Sequence, residues 1–172
     1  MTKRTIVKKG IKDIISTLIL LFLFSNLISY LRRPQLNSAT LPSLQQSLLD
    51  QSSFNSNHLK KQPFIIYFWA TWCSVCSFQS PVIDSISKES QVLSIAVKSG
   101  TDLRLKTYVE QNQYKFPILN DSEGNWSTHF KISHFPTILI YNSQGELSFS
   151  DVGYTSYWGL KLRLFLTEFG FN

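Results

Sequence analysis

The chain has 172 residues, of which 43% are hydrophobic and 16% charged, so it carries enough apolar material for one packed domain and is too apolar for wholesale disorder. Its net charge of +6 is segregated: Lys3, Arg4, Lys8, Lys9, Lys12, Arg32 and Arg33 hold seven of the 17 basic residues, and only Asp13 offsets them before residue 34. The rest balances ten basic against ten acidic groups, which excludes an electrostatic nucleic-acid surface, and two cysteines three positions apart exclude a domain stapled by disulfides.

Residues 1–13 are a basic tail. Ile14 to Leu31 reads IISTLILLFLFSNLISYL, about 18 residues without a charge, near the lower length at which a helix spans a bilayer. Five Lys/Arg precede the run and two follow it. That excess predicts a cytoplasmic N-terminus and a body on the far side of the membrane, the periplasm of a bacterium. The competing reading is a cleaved signal peptide. Against it, Ser29-Tyr30-Leu31-Arg32-Arg33-Pro34 places bulky and cationic groups where a peptidase needs small ones, and no early cysteine offers a lipid site. The expected organisation is a cytoplasmic tail over 1–13, a single-pass inner-membrane anchor over 14–31, a linker over 32–40 and a folded domain over 41–172.

Gln35 to Asn57 is rich in Ser, Gln and Asn. Its first part, through Thr40, reads as a tether. Leu41, Leu44, Leu48 and Leu49 predict a short helix or an irregular cover over the core. Phe64 to Trp69 is an apolar, β-prone run of the kind found in a strand buried on both faces. The stretch Phe68-Trp69-Ala70-Thr71-Trp72-Cys73-Ser74-Val75-Cys76 follows directly and leads into a helix over Ser77 to Lys88, with Val82, Ile83 and Ile86 as its apolar face. Val92 to Val97 is a second buried strand. Gly100 turns the chain into a helix over Asp102 to Asn112. Phe116 to Leu119 is extended, Trp126 to Phe130 a helical turn, and Thr137 to Tyr141 with Leu147 to Val152 a hairpin closed at Ser143-Gln144-Gly145-Glu146. In the last helix, Ser156 to Phe169, Trp158, Leu162, Phe165, Leu166 and Phe169 line one face. Strands alternating with helices predict an α/β domain, a central mixed sheet flanked by helices.

Two thiols spaced C-x-x-C on the first turn of a helix can close a small reversible disulfide. The positive end of the helix favours the thiolate of the first, the form that attacks disulfides. Cys73 is therefore the expected exposed nucleophile and Cys76 the buried partner that resolves the mixed disulfide. A zinc site needs four ligands, no second C-x-x-C exists, and His58, His129 and His134 would have to be gathered by the fold. We expect no metal and no cofactor, and read the three histidines as surface or loop residues and Lys98 and Asp84 as members of solvated faces. Trp72 is either an apolar lip around Cys73 or core packing; Trp69 is core. The Ser74-Val75 pair between the cysteines has no charge and no histidine, which predicts a potential nearer the reducing end than that of a strong oxidant.

The arrangement resembles a thioredoxin fold. FWATWCSVC is similar to the active-site stretch of the membrane-tethered thioredoxin-like proteins of bacterial envelopes, a group that includes cytochrome c maturation and general disulfide-reducing factors. Pro81, five residues after Cys76, stands where that family kinks its active-site helix, and Phe135-Pro136-Thr137 matches its cis-proline loop. The closing run from Gly153 to Arg163 resembles the protein disulfide oxidoreductases of the suppressor-of-copper-sensitivity D type. The resemblance implies that Pro136, in cis, lies beside the cysteines and leaves the Phe135 backbone free to pair with an extended substrate segment, with Trp72 beside it. It implies protein thiols and disulfides as substrates and a membrane electron-donor protein as the source of electrons; the expected oligomeric state is a monomer. Disulfide oxidase or isomerase activity with the same cysteines, and a tethered copper-binding module, are the alternatives. Two positions depart from the family: Tyr67 stands where thioredoxins bury an Asp, and Gln79 where several tethered relatives carry a Glu. Neither exchanges protons readily near neutral pH, so water, and no side chain, is the expected base.

Overall fold

The computed structural model describes residues 12–17, 19–21, 23, 24, 27, 40–59 and 62–170. The chain divides into two units, Met1–Arg33 and Pro34–Asn172. In the first, the described positions are helical, and Ile14, Ile15, Leu20 and Phe24 among them expose their apolar side chains. Among the described residues no helix is long and apolar enough to cross a membrane. The basic tail through residue 11, the remaining positions of the expected anchor, and the expected linker up to residue 39 lie outside the described residues.

The second unit contains strands β1 (Gln45–Ser47), β2 (Ser53–Asn55), β3 (Phe64–Trp69), β4 (Gln91–Val97), β5 (Ile118–Asp121), β6 (Thr137–Tyr141) and β7 (Leu147–Val152). Its helices are α1 (Ser74–Ser87), α2 (Asp102–Asn112), α3 (Asn125–His129) and α4 (Tyr157–Glu168). Five strands form one mixed sheet in the order β5-β4-β3-β6-β7. β3, β4 and β5 run parallel, and β6 and β7 are added antiparallel to β3 and to each other. β3 is central and buried at all six positions, which is why it reads as an unbroken apolar run. Its alternation sends Ile65, Tyr67 and Trp69 to one face and Phe64, Ile66 and Phe68 to the other.

The two crossovers from β3 to β4 and from β4 to β5 step the same way across the sheet, so right-handed connection puts α1 and α2 on one face. Cys76, Ile83 and Ile86 of α1, Leu105 of α2, and Leu160 and Leu164 of α4 share one core there. The opposite face is closed by Phe130 and Ile132 after α3 and by Leu44, fully buried, with Leu41, Leu48, Phe54 and Leu59 beside it, while Leu49 of the same segment joins the first core. Cover is thus what the leucines of this segment provide, but its conformation is an antiparallel ribbon of β1 and β2 with a 3-10 turn at Ser56–His58, not a helix. The reason lies in where its backbone donors go: Leu41 N–H bonds Gly145 O at 2.7 Å and Leu49 N–H bonds Ile118 O at 2.8 Å. A segment that spends its donors on the sheet cannot also close helical turns.

In α4 the stripe of Trp158, Leu162, Phe165 and Phe169 is exposed, Trp158 at 78%. The buried face is Leu160, Leu164 and Thr167, on the other side of the helix at 3.6 residues per turn. The helix carries two apolar stripes, and polar anchors select between them. Arg163 Nε lies 2.7 Å from Asp151 of β7, and Lys161 Nζ lies 2.7 Å from Glu89 beyond α1. These two residues flank the buried stripe, so their partners fix the rotation of the helix.

Candidate active site

α1 begins at Ser74, and Cys73 is its N-cap, in extended conformation. The Cys73 sulfur accepts the backbone N–H of Cys76 at 3.2 Å, the place a serine or aspartate oxygen usually fills. The unpaired N–H groups of the first turn and the aligned peptide dipoles favour negative charge at that atom. Cys73 is half-buried and Cys76 buried, and the two are joined as a disulfide. Pro81 sits inside α1 and withdraws one donor from its ladder.

The Phe135–Pro136 peptide is cis. It precedes β6, which pairs with β3 so that Thr137 faces Phe68, and this register delivers the loop to the end of β3 that leads into the cysteines. There the Phe135 ring meets the Trp72 ring edge-to-face, with centroids 5.6 Å apart. Trp72 is 60% exposed and so is a lip, not core; its indole Nε1–H donates to the Lys98 carbonyl at 3.2 Å. Trp69, by contrast, is wholly buried among Tyr67, Tyr108, Tyr114 and Phe116. Cys73, Trp72, Phe135 and Pro136 are thus brought to one edge of the domain. Val75 and Phe78, in the first turns of α1, also expose apolar side chains. Sequence reading missed these two, and the signal was available: they fall outside the buried spacing of Cys76, Gln79, Ser80 and Ile83.

Beneath the cysteines, the Tyr67 hydroxyl lies 3.0 Å from Ser80 Oγ and donates to the Cys76 carbonyl at 3.4 Å. Burial pushes its phenol well above the usual tyrosine range. Gln79 is fully buried, and its Oε1 accepts the Thr155 N–H at 2.7 Å. That bond ties α1 to the chain leading into α4. Neither side chain carries a proton that moves near neutral pH.

Asp84 is more than a solvated residue. It accepts the Lys115 N–H at 2.6 Å and lies 3.5 Å from Lys88 Nζ, holding the loop before β5 against α1. The ring of His129 stacks edge-on against Trp126 and Phe130, and His134 is exposed beside Ser133 Oγ. The side chain of His58 lies outside the described part. Among the described residues no three His, Cys, Asp or Glu side chains converge as a metal site.

The profile of the AhpC/TSA family matches residues 38–150, a span that includes both cysteines and the cis-proline loop. The chain belongs to the AhpC/TSA family. This AhpC/TSA protein is 36% identical to a thioredoxin-like protein of Haemophilus influenzae over 95% of its own length and 98% of the relative's. It is 29% identical to the thiol-disulfide oxidoreductase ResA of Oceanobacillus iheyensis, over 58% of this chain and 54% of that protein. Among solved structures, the exposed lipoprotein thioredoxin Etrx1 of Streptococcus pneumoniae superposes with a TM-score of 0.65 at 22% identity, covering 72% of this chain and 98% of that one. StoA of Bacillus subtilis superposes with 0.64 at 21% identity, over 73% and 98%. These two likenesses give the thioredoxin-like fold. With the joined Cys73–Cys76 pair at the head of α1, this AhpC/TSA protein is a thiol–disulfide oxidoreductase.

Proposed function

We propose that the protein is a membrane-anchored, periplasm-facing thiol–disulfide oxidoreductase that reduces disulfides in particular protein substrates. The observation that carries the reading is the Cys73 sulfur at the N-cap of α1, half-buried beside the exposed Trp72. The apolar run 14–31 and its basic flanks support the anchor. The run 153–163 supports a place near the suppressor-of-copper-sensitivity D type, with cytochrome c maturation factors as the neighbouring group.

In the reduced enzyme the Cys73 thiolate attacks one sulfur of a substrate disulfide, forming a mixed disulfide and releasing the other substrate sulfur as a thiolate that takes a proton from water. Water then accepts the proton of Cys76. The resulting thiolate attacks Cys73 Sγ, closing the Cys73–Cys76 disulfide and releasing the second substrate thiol. Two electrons have passed to the substrate, and a membrane dithiol protein returns them by the reverse exchange. Trp72, Phe135 and Pro136 receive the substrate segment: Phe135 lies just outside β6, where an extended chain can pair with its backbone.

The test is equilibration of the full chain against glutathione buffers, with insulin reduction as the activity. A potential toward the reducing end together with insulin reduction is the expected result. A strongly oxidising potential would turn the reading to an oxidase or isomerase. Tight stoichiometric copper binding by the dithiol without insulin reduction would replace it with a metal-delivery module.

A further inference from the structure

A cleft of about 380 Å³ opens beside the lip, lined by Thr71, Trp72, Lys98, Ser99, Arg104 and Tyr108. Lys98 follows β4 and Arg104 lies in the first turn of α2, and both are exposed. Neither side chain has a carboxylate or hydrogen-bond partner among the described residues. The one carboxylate between them, Asp102, is engaged by Asn120 Nδ2 at 2.7 Å. In a domain whose ten basic and ten acidic groups balance overall, two cations left unpaired on one cleft are a local feature.

The backbone around them is shaped to hold them there. Lys98 has φ of 45°, a left-handed conformation that a residue with a Cβ adopts at a cost. Its carbonyl is thereby spent on the Trp72 indole, which links the cleft wall to the redox lip. A Cβ added at Gly124 would meet Lys98 Cε at 2.8 Å, and one added at Gly100 would meet Arg104 Cδ at 3.0 Å. Each cationic stem lies across a glycine that gives it room.

We propose that this cleft is a substrate-recognition subsite for acidic polypeptide: a substrate disulfide flanked by Asp or Glu seats its carboxylate against Lys98 and Arg104 while its sulfur meets Cys73 beside Trp72. The proposal rests on the exchange reading above and adds the charge of the preferred substrate. Paired charges at a rim act chiefly on encounter and selection, and salt screens them. The subsite therefore speeds exchange in either direction, whichever way electrons flow.

The experiment uses the full chain and two synthetic peptides that each close one disulfide and differ only in having glutamates or lysines beside the cysteines. Exchange rates are measured in both redox directions at low salt and at about 0.5 M salt. The expected ratio of acidic to basic peptide is about fivefold to tenfold at low salt, falling toward one at high salt. In the variant Lys98→Glu with Arg104→Glu the ratio inverts. The ratio is taken within one protein, so any general change of rate cancels, and thermal melting checks that the variant is folded. Equal rates for the two peptides, or a ratio that the double variant leaves in place, overturns the subsite alone. Exchange with neither peptide overturns the exchange reading and the subsite with it.

Discussion

The Cys73 sulfur accepts the backbone N–H of Cys76 at 3.2 Å, so one atom of the disulfide is also the cap of the helix. A thiolate is a stronger acceptor than a thiol or a disulfide sulfur. The helix start therefore favours the ionised form, and the reduced protein is expected to titrate at Cys73 below the value of about 8.5 for free cysteine. The rate of iodoacetamide labelling against pH reads this directly. A midpoint at or above the free-thiol value removes the basis of the mechanism.

Burial distinguishes the two sulfurs: Cys73 is half-buried and Cys76 is buried. Cys76→Ser should leave Cys73 able to hold a substrate as a stable mixed disulfide, visible on a non-reducing gel and lost with dithiothreitol. Cys73→Ser should capture nothing, because Cys76 is covered. The opposite pattern would reverse the assignment.

Trp72 spends its ring on Phe135 and its N–H on Lys98 while remaining largely exposed. An edge-to-face pair contributes about 0.5–1.5 kcal/mol. Trp72→Ala should therefore lower stability by about 1 kcal/mol and slow the reduction of a protein disulfide by roughly tenfold or less, through kcat/KM. A loss of stability above about 3 kcal/mol would instead make Trp72 a core residue.

The Arg163–Asp151 pair is the polar anchor of α4, and the Asp151 side chain is only 8% exposed. Arg163→Ala removes the ion-pair partner of this nearly buried carboxylate, for an expected loss of about 3 kcal/mol in urea unfolding. Adding Asp151→Asn should restore part of the loss. A single variant as stable as the parent would mean that water reaches Asp151.

Glu89 is held below its ordinary carboxylate value by hydrogen bonds from Lys161 and Tyr157, and Lys161 is held above its ordinary value by Glu89. The depressed carboxylate adds stability that is present above its unfolded value, near 4.5, and is lost as pH falls through the lower folded value. The raised lysine adds stability that is fully present below its unfolded value, near 10.5, and is lost as pH rises through the higher folded value. Glu89→Gln should thus lower the urea midpoint slightly at pH 7 and not at pH 3. An equal effect at both would assign the residue a role other than charge.

Elements whose environment is set by their own pattern were legible from the residues: β3 and β4 announce burial on both faces, β6 and β7 announce a hairpin, and the C-x-x-C at a helix start announces redox chemistry. The cis-proline loop was legible through its family resemblance. Where a choice depended on distant partners, sequence was a poorer guide. α4 offers two apolar stripes, and Asp151 and Glu89, remote in the chain, decide which turns inward. The leucines of 41–49 fit a helix until Gly145 and Ile118 claim their backbone donors. Lys98 looked like any solvated lysine because nothing in its neighbours along the chain reveals that its carbonyl meets Trp72.

Thr40 bridges Glu146, and Leu41 bonds Gly145, at the turn between β6 and β7. Tyr141, just before that turn, is in register with Phe64, the start of β3, whereas the cysteines follow its end. Thr40 and Leu41 are therefore fastened at the end of the sheet opposite the cysteines, with the length of a strand, roughly 20 Å, between them and the sulfur. A partner that seats at the cysteines therefore leaves this fastening untouched, and the strap and the exchange chemistry occupy opposite ends of one strand.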